Sequence, residues 1–203
     1  VGSEMCIRDS SNLVNSATAY SFKNSTGSSI LNVNTTNGSV CVGIGTCSGS
    51  EALGVIGNIV ATGTITQNGS ADYAENVSVS DSSIAAADIV SIDPNNENSF
   101  IKSSSSYDAT AVGVISTSPG FVTNGSDLTA SPNVKPLALS GRVPVKVSNE
   151  NGAINIGDYI TTSSVSGVGM KSTNSGMVVG RAVSAFSGKG VGTVQIIVGS
   201  FYY

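Results

Sequence analysis

The sequence predicts an all-β protein in which Gly/Ser/Asn-rich, fibre-like strands precede a compact β-barrel or sandwich with a possible internal duplication. Only 11% of the 203 residues are charged and 5% are aromatic, whereas 24 are glycine. A helical bundle would need many more Ala, Leu, Glu, Lys and Arg residues. Short runs of alternating apolar and polar residues are separated by turn dipeptides such as Asn-Gly, a pattern typical of short strands joined by tight turns.

The bulk composition excludes several classes of function. The formal charge of −4, from 9 basic and 13 acidic residues, provides no basic surface, so we expect no nucleic-acid partner. The chain has no run of 18 or more apolar residues, so we expect no membrane insertion. Because His is absent, Ser-His-Asp and Cys-His catalysis are excluded, and we expect no metal site and no cofactor. Cys41 and Cys47 can form a disulfide or remain buried thiols.

Residues 11–70 contain short β-type runs between turns. These runs are AYSFKN (19–24), SSILNVNTTNG (28–38), SVCVGIG (39–45) and ALGVIGNIVATGTITQNG (52–69). Ile59, Ala61, Gly63 and Ile65 alternate with their neighbours in the last run, which predicts a strand there. So Gly-rich and aromatic-poor a segment cannot bury a globular core of its own. We therefore expect a fibre stalk in which copies of the chain wind around one another.

Residues 71–203 have a more compact pattern, and we expect about seven strands with turns between them. The predicted strands lie in ADIVSID (87–93), SFIKS (99–103), TAVGVIST (110–117), VKPLALSGRVPVKVS (134–148), GDYITTS (157–163), GMVVGRAVSAF (176–186) and GTVQIIVGSFYY (192–203). This spacing of turns indicates a barrel or a sandwich.

A faint internal duplication runs through the second region. Residues 88–91, 101–103 and 111–114 recur in the same order as residues 158–161, 170–172 and 178–181. The pattern indicates one supersecondary unit used twice, and chance similarity in a Ser/Val/Gly-rich sequence is the alternative. We expect two hairpin units to close one barrel core, with Gly113 and Gly180 where backbones approach closely.

The first ten residues, VGSEMCIRDS, differ in character from the rest. They lack the basic start, apolar core and small-residue cleavage site of a secretory signal. They resemble the conceptual translation of a transposase adaptor used to fragment DNA for sequencing. We therefore expect residues 1–10 to be a non-native segment without packed contacts, preceding the tail end of a longer protein. On this interpretation Cys6 does not enter the disulfide count.

Asp72 and Glu75 form the main candidate site. They lie three residues apart in NGSADYAENVSV (68–79), directly after a turn. One interpretation is a capping box that opens a single helical turn, with Asp72 as the N-cap and Glu75 reaching back to it. The other is that Glu75 acts as a general acid/base on a nearby peptide bond.

The motifs around this pair resemble a known family. VGIGT (42–46), ALGVIGNIVATGTI (52–65) and GSADYAE (69–75), followed by a β-rich tail, resemble the C-terminal region of phage tail fibres, neck appendages and related bacterial surface proteins. The resemblance covers most of residues 40–203. It is fairly specific at DYAE and looser in LSGRVPVKV (139–147), GDYITTSS (157–164) and VVGRAV (178–183), which look like the bacterial version.

The resemblance implies a stalk (11–70) that ends in an intramolecular chaperone domain (71–203), which helps three chains assemble and in some members cuts itself off. The implied scissile bond is Ala71–Asp72, with Glu75 as acid/base, aided by Asp72. Self-cleaving members tend to have Ser before that Asp, whereas this chain has Ala71, with Ser70 one place earlier. If that hydroxyl must attack the carbonyl, the reaction is lost here.

Three hypotheses follow from the sequence. The first is a structural role as the folding and trimerisation end of a phage or bacterial surface fibre, with the chain itself as partner and a virion tail or cell surface as location. The second is a single-turnover, glutamic-type self-cleaving peptidase. The third is a receptor- or glycan-binding module. Its stacking surface would come from the sparse aromatics Tyr107, Tyr159, Phe186, Phe201, Tyr202 and Tyr203.

Overall fold

The regular structure of the described residues is entirely β-strand, which confirms the predicted all-β class. The computed structural model describes residues 15–36, 38–43, 52–66, 69, 71–124 and 132–202. The first ten residues, Cys47 and Ser70 lie outside this set, so the predictions that concern them are not addressed by the structure. The chain divides into two compact units, Val1–Ile65 and Thr66–Tyr203.

The smaller unit contains a four-stranded sheet in the order β1-β2-β3-β4. Its strands are β1 (Tyr20–Lys23), β2 (Ser29–Asn34), β3 (Ser39–Val42) and β4 (Leu53–Val55). The first three are antiparallel, and β4 runs parallel to β3. The predicted strands at 19–24, 28–38 and 39–45 are therefore present, although each is shorter than its run of sequence.

The buried positions of this sheet are mostly polar. Asn32, Asn34 and Ser39 are almost fully buried beside the disulfide-bonded Cys41, whereas Ile30 on the same strand is exposed. Asn32 Nδ2 donates a hydrogen bond to the carbonyl of Ala17 (2.9 Å). Small polar side chains release little apolar surface from water, so this interior contributes little hydrophobic stabilisation.

The strand predicted at residues 59–65 is wrong. Within the described residues, β4 ends at Val55 and the chain from residue 58 to 66 has no regular structure. Ile59, Val60 and Ile65 are 67%, 86% and 78% exposed. The alternation is present in the sequence, but a strand also needs a neighbouring strand to pair with, and none of the described residues pairs with this segment.

The larger unit contains ten strands in one sheet. They are β5 (Asp72–Val79), β6 (Ile89–Ile92), β7 (Ser99–Lys102), β8 (Ala111–Val114), β9 (Phe121–Thr123), β10 (Val134–Ser148), β11 (Tyr159–Thr162), β12 (Gly169–Lys171), β13 (Met177–Ala182) and β14 (Val191–Tyr202). Every run predicted to form a strand in residues 87–203 does so. The strands β5, β9 and β12 are additional.

The strand pairings close into two rings that share β10. In one ring, β10 pairs with β14, β14 with β13, β13 with β11, β11 with β12, and β12 returns to β10. In the other, β10 pairs with β5, β5 with β7, β7 with β6 and β6 with β8, and the bridge between Ile115 and Leu137 returns to β10. The shared strand can serve both rings because a bulge at Leu139 and the positive φ of Gly141 (113°) redirect it.

The two rings are repeats of one unit, as the sequence pattern indicates. We call residues 72–138 the N-terminal repeat and residues 140–198 the C-terminal repeat. Val90 pairs with Lys102 on one side and Gly113 on the other, and Ile160 pairs with Lys171 and Gly180 in the same way.

The turns that enter the central strands are also equivalent. Asp88 and Asp158 each accept a hydrogen bond from the N–H three residues earlier, at 2.9 and 2.7 Å. Each carboxylate also pairs with the lysine of the following strand, Lys102 or Lys171, at 3.2 and 2.9 Å. Such agreement in local hydrogen bonding favours one unit used twice over chance similarity.

Each repeat has an apolar core of its own, where a single barrel core was expected. Val77, Val79, Ile84, Val90, Ile115 and Leu137 form the core of the N-terminal repeat. Their counterparts Val145, Val147, Ile154, Ile160, Ala182 and Ile196 belong to a larger cluster that also takes in Ile89, Ala111, Val114 and Ala138 from the N-terminal repeat. The two repeats are therefore packed together by residues of the first inserted into the core of the second.

Candidate functional site

Of the two interpretations of Asp72 and Glu75, the capping box that opens a helical turn is wrong, because both residues lie in β5. In a strand, side chains alternate between faces, so residues three apart point in opposite directions. Asp72 and Ala74 are buried on one face, and Ala74 pairs with Ala138 of the larger cluster. Glu75 pairs with Leu137 of the other core. The structure therefore does not bring the two carboxylates together.

Asp72 lies at the start of β5 with its side chain directed inward. The residue is 9% exposed, and its Oδ2 atom is buried with no hydrogen-bond partner among the described residues. A buried carboxylate oxygen without a partner is energetically unfavourable and is a recognised feature of functional sites. The carboxylate of Asp72 itself therefore lies next to the Ala71–Asp72 peptide bond.

The carbonyl of Ala71, on the amino side of that bond, is held by β10. Arg142 N–H donates to this oxygen (3.1 Å), and Gly120 N–H donates to the carbonyl of Asp72 (2.8 Å). A Cβ at Gly141 would lie 2.2 Å from the Ala71 oxygen, so only glycine allows the two backbones to approach this closely. The peptide bond is thereby fixed on both sides, and its carbonyl is polarised by one N–H donor.

Glu75 lies farther along the strand, facing a cavity. Four residues of extended chain place its Cα roughly 13 Å from that of Ala71, too far for a glutamate side chain to reach the Ala71–Asp72 carbonyl. Among the described residues, no hydrogen bond or ion pair involves the Glu75 carboxylate. In this conformation Glu75 is therefore available to a group outside its own strand.

The cavity beside Glu75 has a volume of about 350 Å³ and a mainly polar lining. It is lined by Glu75, Asn76, Val77, Ser78, Asn98, Phe100 and Asn124. Asn98 and Asn124 adopt positive φ angles of 54° and 56°, which asparagine tolerates better than most residues. Asn124 Nδ2 donates to the carbonyl of Asn76 (3.1 Å), while Asn76 Nδ2 is buried without a partner. The cavity thus has unused hydrogen-bonding capacity.

Comparison of the repeats shows that this acidic site occurs once. The pairs Val79–Phe100 and Val147–Gly169 are equivalent, and counting back from them aligns Glu75 with Val143 and Asp72 with Ser140. Val143 is 1% exposed and lies in the apolar cluster. The fold therefore accepts valine at this position, and the carboxylate of Glu75 is not required to build it.

Other carboxylates serve turns. For Asp158, desolvation opposes the charged form, but hydrogen bonds from Asn155 and Lys171 outweigh it and lower the pKa. For Asp93, hydrogen bonds from Ser80 and Asn96 lower the pKa. No group of His, Cys, Asp and Glu in the described ranges could hold a metal ion. Among the same residues, no helix has the length and hydropathy to span a bilayer.

The described candidate stacking aromatics have different partners, and Tyr203 lies outside the described residues. Tyr107 bonds through its hydroxyl with Thr173 and Asn151 (both 3.0 Å), and Phe186 packs against the apolar cluster. Tyr159 contacts Phe201 edge-on at 5.5 Å, and Arg181 stacks over Tyr159 at 4.2 Å. A separate pair that the sequence analysis missed, Tyr73 and Phe121, stacks at 5.1 Å because β9 pairs with β5.

Comparison with known proteins gives one informative result. No family model and no curated protein matches the sequence. Among solved structures, the chain is similar to the pre-mature bacteriophage phi29 gene product 12, with a TM-score of 0.52 over 70% of this chain at 16% identity. The chain spans 23% of that protein's length. The likeness is one of fold.

Proposed function

We propose that this chain is the C-terminal folding and trimerisation end of a phage tail-fibre-like or bacterial surface fibre protein, and that it is virion-associated. The fold likeness to bacteriophage phi29 gene product 12 is the observation that supports the proposal. The role is structural, and the partner is the chain itself.

The exposed apolar residues of the smaller unit support association with other copies. Ile56, Ile59, Val60 and Ile65 are each at least 66% exposed, and they follow one another closely along the chain. Clustered exposed aliphatic residues of this kind mark surfaces that are covered by a partner. Copies of the same segment would supply both the apolar contacts and the strand partners that residues 58–66 lack among the described residues.

The oligomeric state tests this proposal. Size-exclusion chromatography with light scattering on the full chain is expected to give three times the 20.3-kDa chain mass. Substitution of Ile59, Val60 and Ile65 by Ser is expected to weaken the trimer, whereas Ser substitution of the buried Val77 is expected to unfold the larger unit. A single-chain mass at every concentration would contradict the proposal.

A second candidate function is single-turnover self-cleavage at the Ala71–Asp72 bond. The fixed and polarised carbonyl of Ala71 favours it, as does the buried, unpartnered oxygen of Asp72. In this reaction water adds to the Ala71 carbonyl carbon, and the Arg142 N–H stabilises the resulting oxyanion. The C–N bond then breaks, the Asp72 nitrogen gains a proton, and the products are a carboxylate at Ala71 and an amine at Asp72.

The roles of the two carboxylates in this reaction differ. Asp72 lies next to the bond and is the in-chain candidate for proton transfer. Glu75 takes part only if the strand end leaves its place in the sheet or if Glu75 acts from a neighbouring chain.

Intact-mass measurement after expression tests self-cleavage. The expected product begins at Asp72, and Ala71→Ser is expected to increase its yield if a hydroxyl before Asp72 is the missing group. Asp72→Asn is expected to lower the yield. Glu75→Gln is expected to lower it only if Glu75 acts from a displaced strand end or from a neighbouring chain, and Glu97→Gln is the matched control on an exposed turn of the same unit. Absence of any fragment starting at Asp72, in wild type and in Ala71→Ser alike, refutes this second function.

A further inference from the structure

The two repeats dock on each other through a specific corner and a specific receiving surface. The corner is the turn into β6. Ala87 accepts a hydrogen bond from Lys146 N–H (2.9 Å), and Ile89 N–H donates to Gly167 (2.9 Å). Asp88 of the same corner pairs with Lys146 Nζ (2.5 Å). The N-terminal repeat thus inserts its corner into the C-terminal repeat between β10 and β12.

The receiving surface has a counterpart on the N-terminal repeat, and that counterpart is the cavity beside Glu75. Lys146, Gly167 and Gly169 correspond to Ser78, Asn98 and Phe100, which all line the cavity. Val143 corresponds to Glu75, as shown above. The cavity is therefore the place on the N-terminal repeat where, by repeat symmetry, a corner would insert.

The corner also has a counterpart, on the C-terminal repeat. Ile89 pairs with Val114, and both are 0% exposed because they are inserted into the cluster. The equivalent pair is Tyr159 with Arg181, where Arg181 is exposed and stacks over the Tyr159 ring. Ile156 and Ile197 flank this second corner and are 72% and 53% exposed.

We propose that the Tyr159–Arg181 corner of one copy inserts into the Glu75 cavity of a second copy of this chain. The inference rests on the proposed function, in that it requires copies to assemble, and it specifies the surfaces through which they do so. It extends between chains the contact that already joins the two repeats within one chain.

The Tyr159–Arg181 corner and the Glu75 cavity are both more polar than their equivalents within the chain, and this shared difference supports their pairing. Within the chain, an apolar pair (Ile89 and Val114) lies in the same apolar cluster as Val143. Between chains, a tyrosine–arginine pair meets a glutamate. Neither Arg181 nor Glu75 forms an ion pair among the described residues, and opposite charges at equivalent positions are the complementarity that specific interfaces show.

The geometry of the contact fits an assembly of several copies. Because the corner and the cavity are different surfaces, the contact is heterologous and joins copies head to tail. Such contacts either close into a ring or continue as a filament. A ring of three copies is the form that agrees with the proposed trimer.

Charge reversal in the full chain tests the contact. Glu75→Arg and Arg181→Glu, each alone, are expected to raise the dissociation constant of the assembly by at least about tenfold, and the double variant is expected to restore it. Lys189→Glu makes the same change of charge as Arg181→Glu on an exposed loop and is expected to have no effect. Sedimentation velocity over a dilution series measures the assembly, and far-UV circular dichroism checks the fold.

A disulfide trap provides a second measurement that does not depend on charge. Asn98 and Tyr159 correspond to Gly167 and Ile89, whose backbones are hydrogen-bonded within the chain. The double variant Asn98→Cys/Tyr159→Cys is therefore expected to give covalently linked three-chain species on oxidation, while either single variant is not.

The outcomes separate this inference from the proposed function. If wild type is a single chain, both fail. If wild type forms trimers that charge reversal leaves unchanged and that the cysteine pair does not trap, the inference is overturned and the trimer stands. Restoration by the double charge variant, or trapping of three-chain species, supports it.

Discussion

Replacement of Asp88 by Asn is expected to destabilise the larger unit more than any other single charge removal among the ion-paired carboxylates described. The Asp88 side chain is 3% exposed and accepts hydrogen bonds or ion pairs from Lys102 Nζ (3.2 Å), Lys146 Nζ (2.5 Å) and Ala85 N–H (2.9 Å). It therefore ties together a turn, β7 and β10. Asn keeps the shape but leaves two ammonium groups facing each other without their counterion.

The magnitude follows from burial. Removal of one partner from a buried ion pair costs about 3–5 kcal/mol. The two lysine side chains retain 21% and 32% exposure and can turn toward water, which places the expected loss at the lower end, about 3 kcal/mol. Asp158→Asn is the matched control, because Asp158 holds the same position in the C-terminal repeat but is 22% exposed and has one lysine partner. It is expected to lose about 1 kcal/mol.

Urea unfolding followed by far-UV circular dichroism measures both losses as differences in the free energy of unfolding. The comparison is internal, since the two aspartates have the same turn and the same hydrogen bond from the residue three before. A loss for Asp88→Asn no larger than that for Asp158→Asn would refute the reasoning that burial and the second lysine set the magnitude.

The remaining predictions concern Gly141 and the dependence of the free energy of unfolding on pH in the acid range. Gly141→Ala is expected to destabilise the unit by at least about 2 kcal/mol, because its Cβ would lie 2.2 Å from the Ala71 oxygen at a φ of 113°. Gly152→Ala, at a φ of 88° in open space, is expected to lose about 1 kcal/mol in the same urea assay, and equal losses would exclude the close approach as the cause. The lowered pKa of Asp158 means that it stabilises the fold above the unfolded-state pKa and that this contribution disappears as pH falls through the folded-state pKa. Thermal unfolding of Asp158→Asn at pH 7 and in the acid range is therefore expected to converge with wild type in acid, and a constant difference at both would contradict this.

Most of the larger unit could be predicted because its signals are local. Alternation and turn residues placed the strands at β6–β8, β10, β11, β13 and β14, and the short recurring runs of sequence indicated the duplication. These features depend on the side-chain period and on residues that favour turns, which act over a few positions. The pairing of the repeated strands and their separate cores came from the structure.

The candidate site was harder to predict, for a physical reason. A carboxylate followed three residues later by glutamate is typical of a helix start, and the same spacing in a strand sends the two side chains to opposite faces. Asp72 and Asn76 are polar but buried, so the usual relation between polarity and exposure does not reveal the strand period. The pairing of β5 with β10 decides the matter, and it joins Asp72 to Gly141 and Glu75 to Leu137, residues more than sixty positions apart. No local pattern encodes it.

The internal duplication supplies information that a single sequence otherwise lacks, because it shows the same fold position occupied twice under different demands. Where both repeats have equivalent groups, as at Asp88 and Asp158, the structural role is sufficient to explain them. Where the equivalent residues differ in chemistry, the shared fold does not explain both of them, and one residue of the pair has a role outside its own repeat. There are two such differences. Glu75 is equivalent to Val143, and Arg181 is equivalent to Val114. Both charged residues lie on the surfaces that repeat symmetry would bring together between chains. If either charged residue had no role in assembly, reversing its charge would leave the dissociation constant of the assembly unchanged. If each single reversal weakens assembly and the double variant restores it, Glu75 and Arg181 must contact each other between chains.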